Sequence, residues 1–202
     1  MTRLGKLTVG VIAFGVLVGV AVPLTIISRG VSARDEPTAI EAFMARRLRR
    51  LATPSHLHTA RNPVALTTEV LASARAHFAD HCASCHGNDG RGQTSMGRNL
   101  YPKAPDMTLP DTQGLVDGEL FGIIENGIRL TGMPAWGDGT PESTKASWEL
   151  VHLIRHFPKI TPEELAEMAA LNPMSRAEFE EEQSIDTFLK GGDVKPPHHV
   201  SH

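Results

Sequence analysis

The chain has 202 residues, a formal net charge of −3 and 41% hydrophobic residues, with no low-complexity bulk. That length predicts one domain of about 100 to 150 residues with attachments. The small charge imbalance, without a basic stripe carrying interleaved aromatics, excludes nucleic acid as a partner. The chain has only 2 cysteines, Cys82 and Cys85, so no wider disulfide framework can form.

Leu7 to Ile27 carries no charge over 21 residues. At about 1.5 Å per residue a helix of that length spans roughly 31 Å, about one hydrocarbon core. Arg3 and Lys6 precede it, and Val31-Ser32-Ala33 satisfies a small-residue cleavage rule. Residues 1–33 therefore read as a membrane anchor or a signal peptide. A signal peptide has an apolar region of about 7 to 15 residues, so the longer run here favours a retained anchor over a soluble, cleaved product.

Residues 34–66 read as a basic amphipathic helix and a linker. From Pro37 to Ala52, Ile40, Phe43, Met44, Leu48 and Leu51 recur at helical spacing, with Arg46, Arg47, Arg49 and Arg50 on the other side. Such a helix suits anionic headgroups or a docking partner; an ordinary solvated face is the alternative. Thr53 to Pro63 has two prolines and little periodicity, which predicts the linker.

The domain itself is expected at 67–158. Thr67 or Thr68 can cap a helix whose Val70, Leu71, Ala74, Phe78 and Cys82 share a side. That helix leads into Cys82-Ala-Ser-Cys85-His86, the signature of c-type haem attachment. Each thiol adds across a haem vinyl group and becomes a thioether. Two intervening residues bring both sulfurs to one porphyrin edge, and the next residue, His86, offers a neutral imidazole to the iron. The competing readings are a redox dithiol, which lacks its βαβ context, and half a zinc site, which lacks a second cysteine pair.

Further on, Gly127-Ile-Arg-Leu-Thr-Gly-Met133-Pro-Ala-Trp136 sets a methionine between glycine and proline in a loop. A core methionine usually sits in an apolar helix stripe. This setting suits a thioether held at iron opposite His86, with Met96 and Met107 as rivals. Trp136 can reach a haem propionate or wall the pocket, and Arg129 can pair with a propionate or stay in solvent. A short helix is predicted at Asp117 to Asn126, ended by Gly127, and a last domain helix at Lys145 to Phe157.

Together, Cys-x-x-Cys-His-Gly, the later Thr-Gly-Met-Pro loop and the aromatic-bearing final helix resemble a class I, mono-haem c-type cytochrome over residues 67 to 158. The resemblance implies an all-α fold with long loops and one covalent haem c with its iron. It implies that Ala74 and Phe78 meet the last helix, with Trp148 packed near them. It also implies a proline carbonyl, from Pro105 or Pro102, bonded to the proximal histidine. Haem attachment in such proteins occurs outside the cytoplasmic membrane, so the domain is expected on the periplasmic side. The arginines after the apolar segment point the other way by the positive-inside rule; the haem motif overrides them.

Beyond the domain, residues 159–190 read as an acidic helical extension, with helices at Pro162 to Leu171 and Ser175 to Leu189. It can dock a partner, strap onto the arginines at 46–50, or simply be solvated. Residues 191–202 read as a flexible tail whose His198, His199 and His202 can bind a metal. The expected function is electron transfer between membrane redox complexes or small soluble redox proteins, with His86 and Met133 filling both axial positions. The alternatives are a haem subunit of a larger membrane oxidoreductase, and a haem enzyme or gas sensor with a displaceable sixth ligand.

Overall fold

The computed structural model describes residues 3–30, 32–174 and 176–190, and among these every regular element is helical. Val31 and the histidine tail at 191–202 lie outside the described residues. The chain forms two compact units, Met1–Glu36 and Pro37–His202.

The first unit is helix α1, Arg3–Arg29. Its stretch Leu7–Thr25 has a mean hydropathy of 2.4 over 19 residues, none of it buried. Nineteen residues rise about 28 Å, enough for a hydrocarbon core. Pro23 sits inside the helix without ending it. Thr25 Oγ1 donates back to the Val22 carbonyl at 2.7 Å, the local back-bond of a helical hydroxyl.

The second unit opens with α2, Ala39–Ala52. Its start is a capping box: Thr38 Oγ1 accepts from the Glu41 N–H, and the Glu41 carboxylate accepts from the Thr38 N–H at 2.7 Å. The apolar stripe of this helix faces outward. Ile40, Phe43, Met44, Leu48 and Leu51 are between 49% and 82% exposed. Ala42 and Arg49, on the opposite side, are the half-buried positions. The helix turns the line of Ala42 and Arg49 toward the rest of the unit, while Arg46, Arg47 and Arg50 stay exposed.

Thr53 to Pro63, expected as a linker, is instead packed. Leu57 lies in a 3-10 turn, Ser55–His58, and is buried. His58 Nδ1 meets Glu119 at 3.2 Å, and Asn62 donates to the Trp148 carbonyl at 2.8 Å. Gly118 lies so close to this turn that an added Cβ would strike the Leu57 carbonyl. These partners are 61 to 86 residues away, which is why local periodicity gave no sign of them.

The haem-motif half of the unit is built on two helices. Helix α3, Thr68–His81, is capped by Thr67, whose hydroxyl accepts from the Val70 N–H. It leads into one further turn, α4, Ala83–His86. After a short α5, Pro110–Gln113, comes α6, Asp117–Asn126. Helix α7, Pro141–His156, starts earlier than expected because Thr140 caps it and Pro141 takes its first turn, where no N–H is needed. Ala74 and Phe78 of α3 form one core with Leu150, Val151, Leu153 and Ile154 of α7. Phe78 meets Phe157 edge-on at 4.9 Å. Trp148 belongs to the same buried core as Ala74 and Phe78, and its ring stacks flat on Phe121 of α6 at 4.2 Å.

The acidic extension begins with α8, Pro162–Ala170, whose Met168 is wholly buried. Among the described residues no carboxylate of the extension is paired with α2. Glu164 and Glu167 pair with Arg75 of α3 at 2.9 and 3.2 Å, and Glu164 also meets His156 of α7 at 2.8 Å. Helix α9, Arg176–Leu189, follows, with Ile185, Phe188 and Leu189 exposed.

Candidate haem site

The motif is shaped by the junction between α3 and α4. Cys82 ends α3, its N–H donating to the Phe78 carbonyl at 2.9 Å. Its own carbonyl accepts from the N–H of Cys85 at 3.2 Å and of His86 at 2.9 Å. One helical turn thus sets Cys82, Cys85 and His86 along a single wall. Gly87 then breaks the helix at φ +71°, a conformation that L side chains rarely adopt.

The following loop folds back over this turn. The Gly92 N–H donates to the His86 carbonyl at 2.7 Å, Thr94 Oγ1 donates to the Cys85 carbonyl at 3.0 Å, and the Met107 N–H donates to the Gly90 carbonyl at 2.8 Å. Gly97 packs against the same turn, where a Cβ would collide with the carbonyls of Cys85 and Gly92.

A second loop leaves α6 at Gly127, φ +64°. It is closed by the Ile128 N–H donating to the Met133 carbonyl at 3.1 Å and by the Met133 N–H donating to Thr131 Oγ1 at 3.1 Å. Its far end is tied to α6, with the Trp136 N–H donating to the Ile124 carbonyl at 3.1 Å. Leu130, at its tip, has φ +63° and is 93% exposed.

Between these loops lies a cavity of about 160 Å³. Cys82, Cys85 and His86 line it, and so do Met133, Trp136 and Pro105. Leu100, Leu115, Leu120, Ile123, Ile124, Ile128 and Ile154 give the wall its branched aliphatic surface. Met107 also lines it, but Met96 is exposed and absent from the wall. Arg129 is exposed and absent from the wall as well. Two wall residues were not expected at the haem from the sequence: His81, whose ring meets that of Trp136 edge-on at 5.6 Å, and Arg49 of α2, read only as part of a basic helix face.

The electrostatics suit a large apolar ligand with a metal at its centre. Burial pushes the His86 imidazole down to about 4, so it is neutral at pH 7 with a lone pair free to ligate. Burial, and then the neighbouring Cys85, push the Cys82 thiol up to about 12. No disulfide joins the two cysteines. His86 Nδ1 is fully enclosed and without a hydrogen-bond partner. The expected bond from it to a Pro105 or Pro102 carbonyl is therefore not made; the neighbouring ring is instead Phe78, 6.2 Å away at 47°. Among the described residues no three His, Cys, Asp or Glu side chains converge, so a structural zinc site, which needs four ligands, has no support there. Two adjacent thiols, a neutral buried imidazole and an apolar cavity between them fit a covalent haem.

Residues 69–154, less than half of the chain, match the family described as cytochrome C oxidase, cbb3-type, subunit III. No curated protein matches the chain. The match falls on the helices and loops that enclose this cavity. The chain thus carries a c-type cytochrome domain, an electron-transfer module whose cofactor is covalent haem c with its iron.

Proposed function

We propose that the protein is a membrane-anchored electron carrier holding one haem c, with Cys82 and Cys85 as thioethers and His86 and Met133 as axial ligands. The observation that carries this reading is the single cavity onto which all four side chains open. The bound group supplies a one-electron Fe(III)/Fe(II) couple. His86 presents a neutral imidazole, as ligation requires. Met107 is the rival for the sixth position, but its N–H is bonded to Gly90, four residues after His86, so it belongs to the motif's own loop. Met133 comes from the separate loop after α6 and is the residue suited to face His86 across the cavity. A thioether in that position raises the potential relative to two nitrogen ligands. The apolar wall raises it further, since it disfavours the extra positive charge of the oxidised state. With both axial positions filled, no site remains for substrate at iron, which disfavours an enzyme or gas sensor.

In this reading α1 stays in the cytoplasmic membrane as a single-pass anchor, and the haem domain lies on the periplasmic side. The anchor confines the search for donor and acceptor to membrane complexes and small redox proteins near them, raising their effective concentration. Trp136 and His81 stand at the cavity wall; their role is to cover the haem where electrons enter and leave. A second reading is supported by the family match: a haem subunit held permanently in a larger oxidase. Purification in mild detergent separates the two. A carrier runs alone and titrates as one n = 1 wave. A subunit retains stoichiometric partners, and that result would replace the carrier reading.

A further inference from the structure

Helix α2 lies outside the matched stretch, yet one of its side chains reaches the haem cavity. Arg49, Leu115 and Ile123 line both that cavity and the groove beneath α2. Of the four arginines at 46–50, Arg46, Arg47 and Arg50 are exposed and Arg49 alone is half-buried. Arg46 lies 4.0 Å from Asp111, and the Arg47 guanidinium sits over the Phe43 ring at 5.2 Å. Arg49 has no carboxylate partner among the described residues. Its backbone is fixed, since the Thr53 N–H and hydroxyl both donate to its carbonyl at 2.9 Å.

A half-buried cation beside leucine and isoleucine lacks the counter-charge that would offset its desolvation. Haem is an apolar ring carrying two carboxylates. The cavity's apolar wall suits the ring, and a guanidinium fork suits a carboxylate better than any other side chain does. We propose that Arg49 is a haem-binding residue, its guanidinium pairing with a haem carboxylate, so that α2 completes the cofactor site. The proposal rests on the haem reading above. A cation held there opposes the additional positive charge of ferric iron and favours the reduced form.

The test is a potentiometric titration of the full chain in detergent, as wild type, Arg49→Gln, Arg49→Lys and Arg47→Gln. Covalent haem is quantified in each. At a fixed potential, Arg49→Gln is expected to lower the reduced-to-oxidised ratio by about threefold, the size of a partly exposed charge pair of under about 1 kcal/mol. Arg49→Lys falls between it and wild type, because it keeps the charge and loses the fork. Arg47→Gln, on the exposed side of the same helix, titrates as wild type. If Arg49→Gln and Arg47→Gln titrate together, the proposal is overturned. Should Arg49→Gln yield no holoprotein, Arg49→Lys decides: holoprotein with a lowered ratio supports the charge pair, and no holoprotein makes Arg49 a packing residue and ends the proposal. A wild type without covalent haem would sink the haem reading itself, a distinct outcome.

Discussion

Met168 offers a sharp test of whether the acidic extension is part of the haem domain. Its side chain is 0% exposed, within a helix whose other residues are mostly exposed. Replacing it with alanine removes a fully buried thioether chain. The transfer loss is about 1.5 to 3 kcal/mol, and the residual cavity brings the total to about 2 to 5 kcal/mol. For a unit as long as Pro37–His202 each kcal/mol lowers Tm by about 2 to 4 °C, so a loss of at least about 4 °C is expected. Far-UV circular dichroism and Soret absorbance, followed through thermal and urea unfolding, report it. Glu167→Ala is the paired control: its side chain is 62% exposed although it touches Arg75, and such a surface change should stay within about 0.5 kcal/mol. If Met168→Ala also stays within about 0.5 kcal/mol, then α8 is an appendage and the packing described for it is wrong.

Glu164 should make the domain acid-sensitive. Burial raises its carboxyl, but the hydrogen bonds from His156 and the Thr161 N–H, with the charges of His156 and Arg75, outweigh this and hold it below the usual carboxylate range. A depressed folded value stabilises above the unfolded carboxylate range and is lost as pH falls through the folded value. Glu164→Gln should therefore be less stable than wild type at pH 7, with the gap closing in acid; urea midpoints across pH measure it, and a pH-independent gap would contradict the pairing. Gly97→Ala places a methyl against the Cys85 carbonyl, so it should reduce the yield of covalent haem per protein, read by absorbance after denaturation; a normal yield would mean that the loop moves freely. Leu48→Gln with Leu51→Gln should leave urea stability within about 0.5 kcal/mol, since both side chains are mostly exposed; a large loss would place the stripe of α2 inside the core.

The parts of the molecule legible in the sequence are those written locally. The span of α1, the turn from Cys82 to His86 and the end of α6 at Gly127 each depend on residues within a few positions of one another. The Met133 loop was recognisable for the same reason, by its glycine and proline flanks. What escaped depends on distant partners. Periodicity showed the amphipathic pattern of α2, but not that its apolar stripe stays exposed while Ala42 and Arg49 are the half-buried positions, with Arg49 at the cavity wall. Composition marked 53–63 as a linker, yet Asn62 bonds Trp148 86 residues away. Acidity marked 162–171 as a surface, but could not say that its carboxylates meet Arg75, 89 residues from Glu164, while Met168 enters the core. Three methionines offered themselves as ligands, and only the folded chain removes Met96 from the wall.

The central claim is that Met133 closes the coordination opposite His86. It is tested most directly by carbon monoxide binding to the reduced protein, as wild type, Met133→Ala and Met107→Ala, followed in the Soret band. Wild type and Met107→Ala should ignore the gas, and Met133→Ala should bind it. Ready binding by the wild type would contradict the closed site and turn the reading toward a sensor or enzyme; binding by Met107→Ala alone would assign the ligand to the wrong loop.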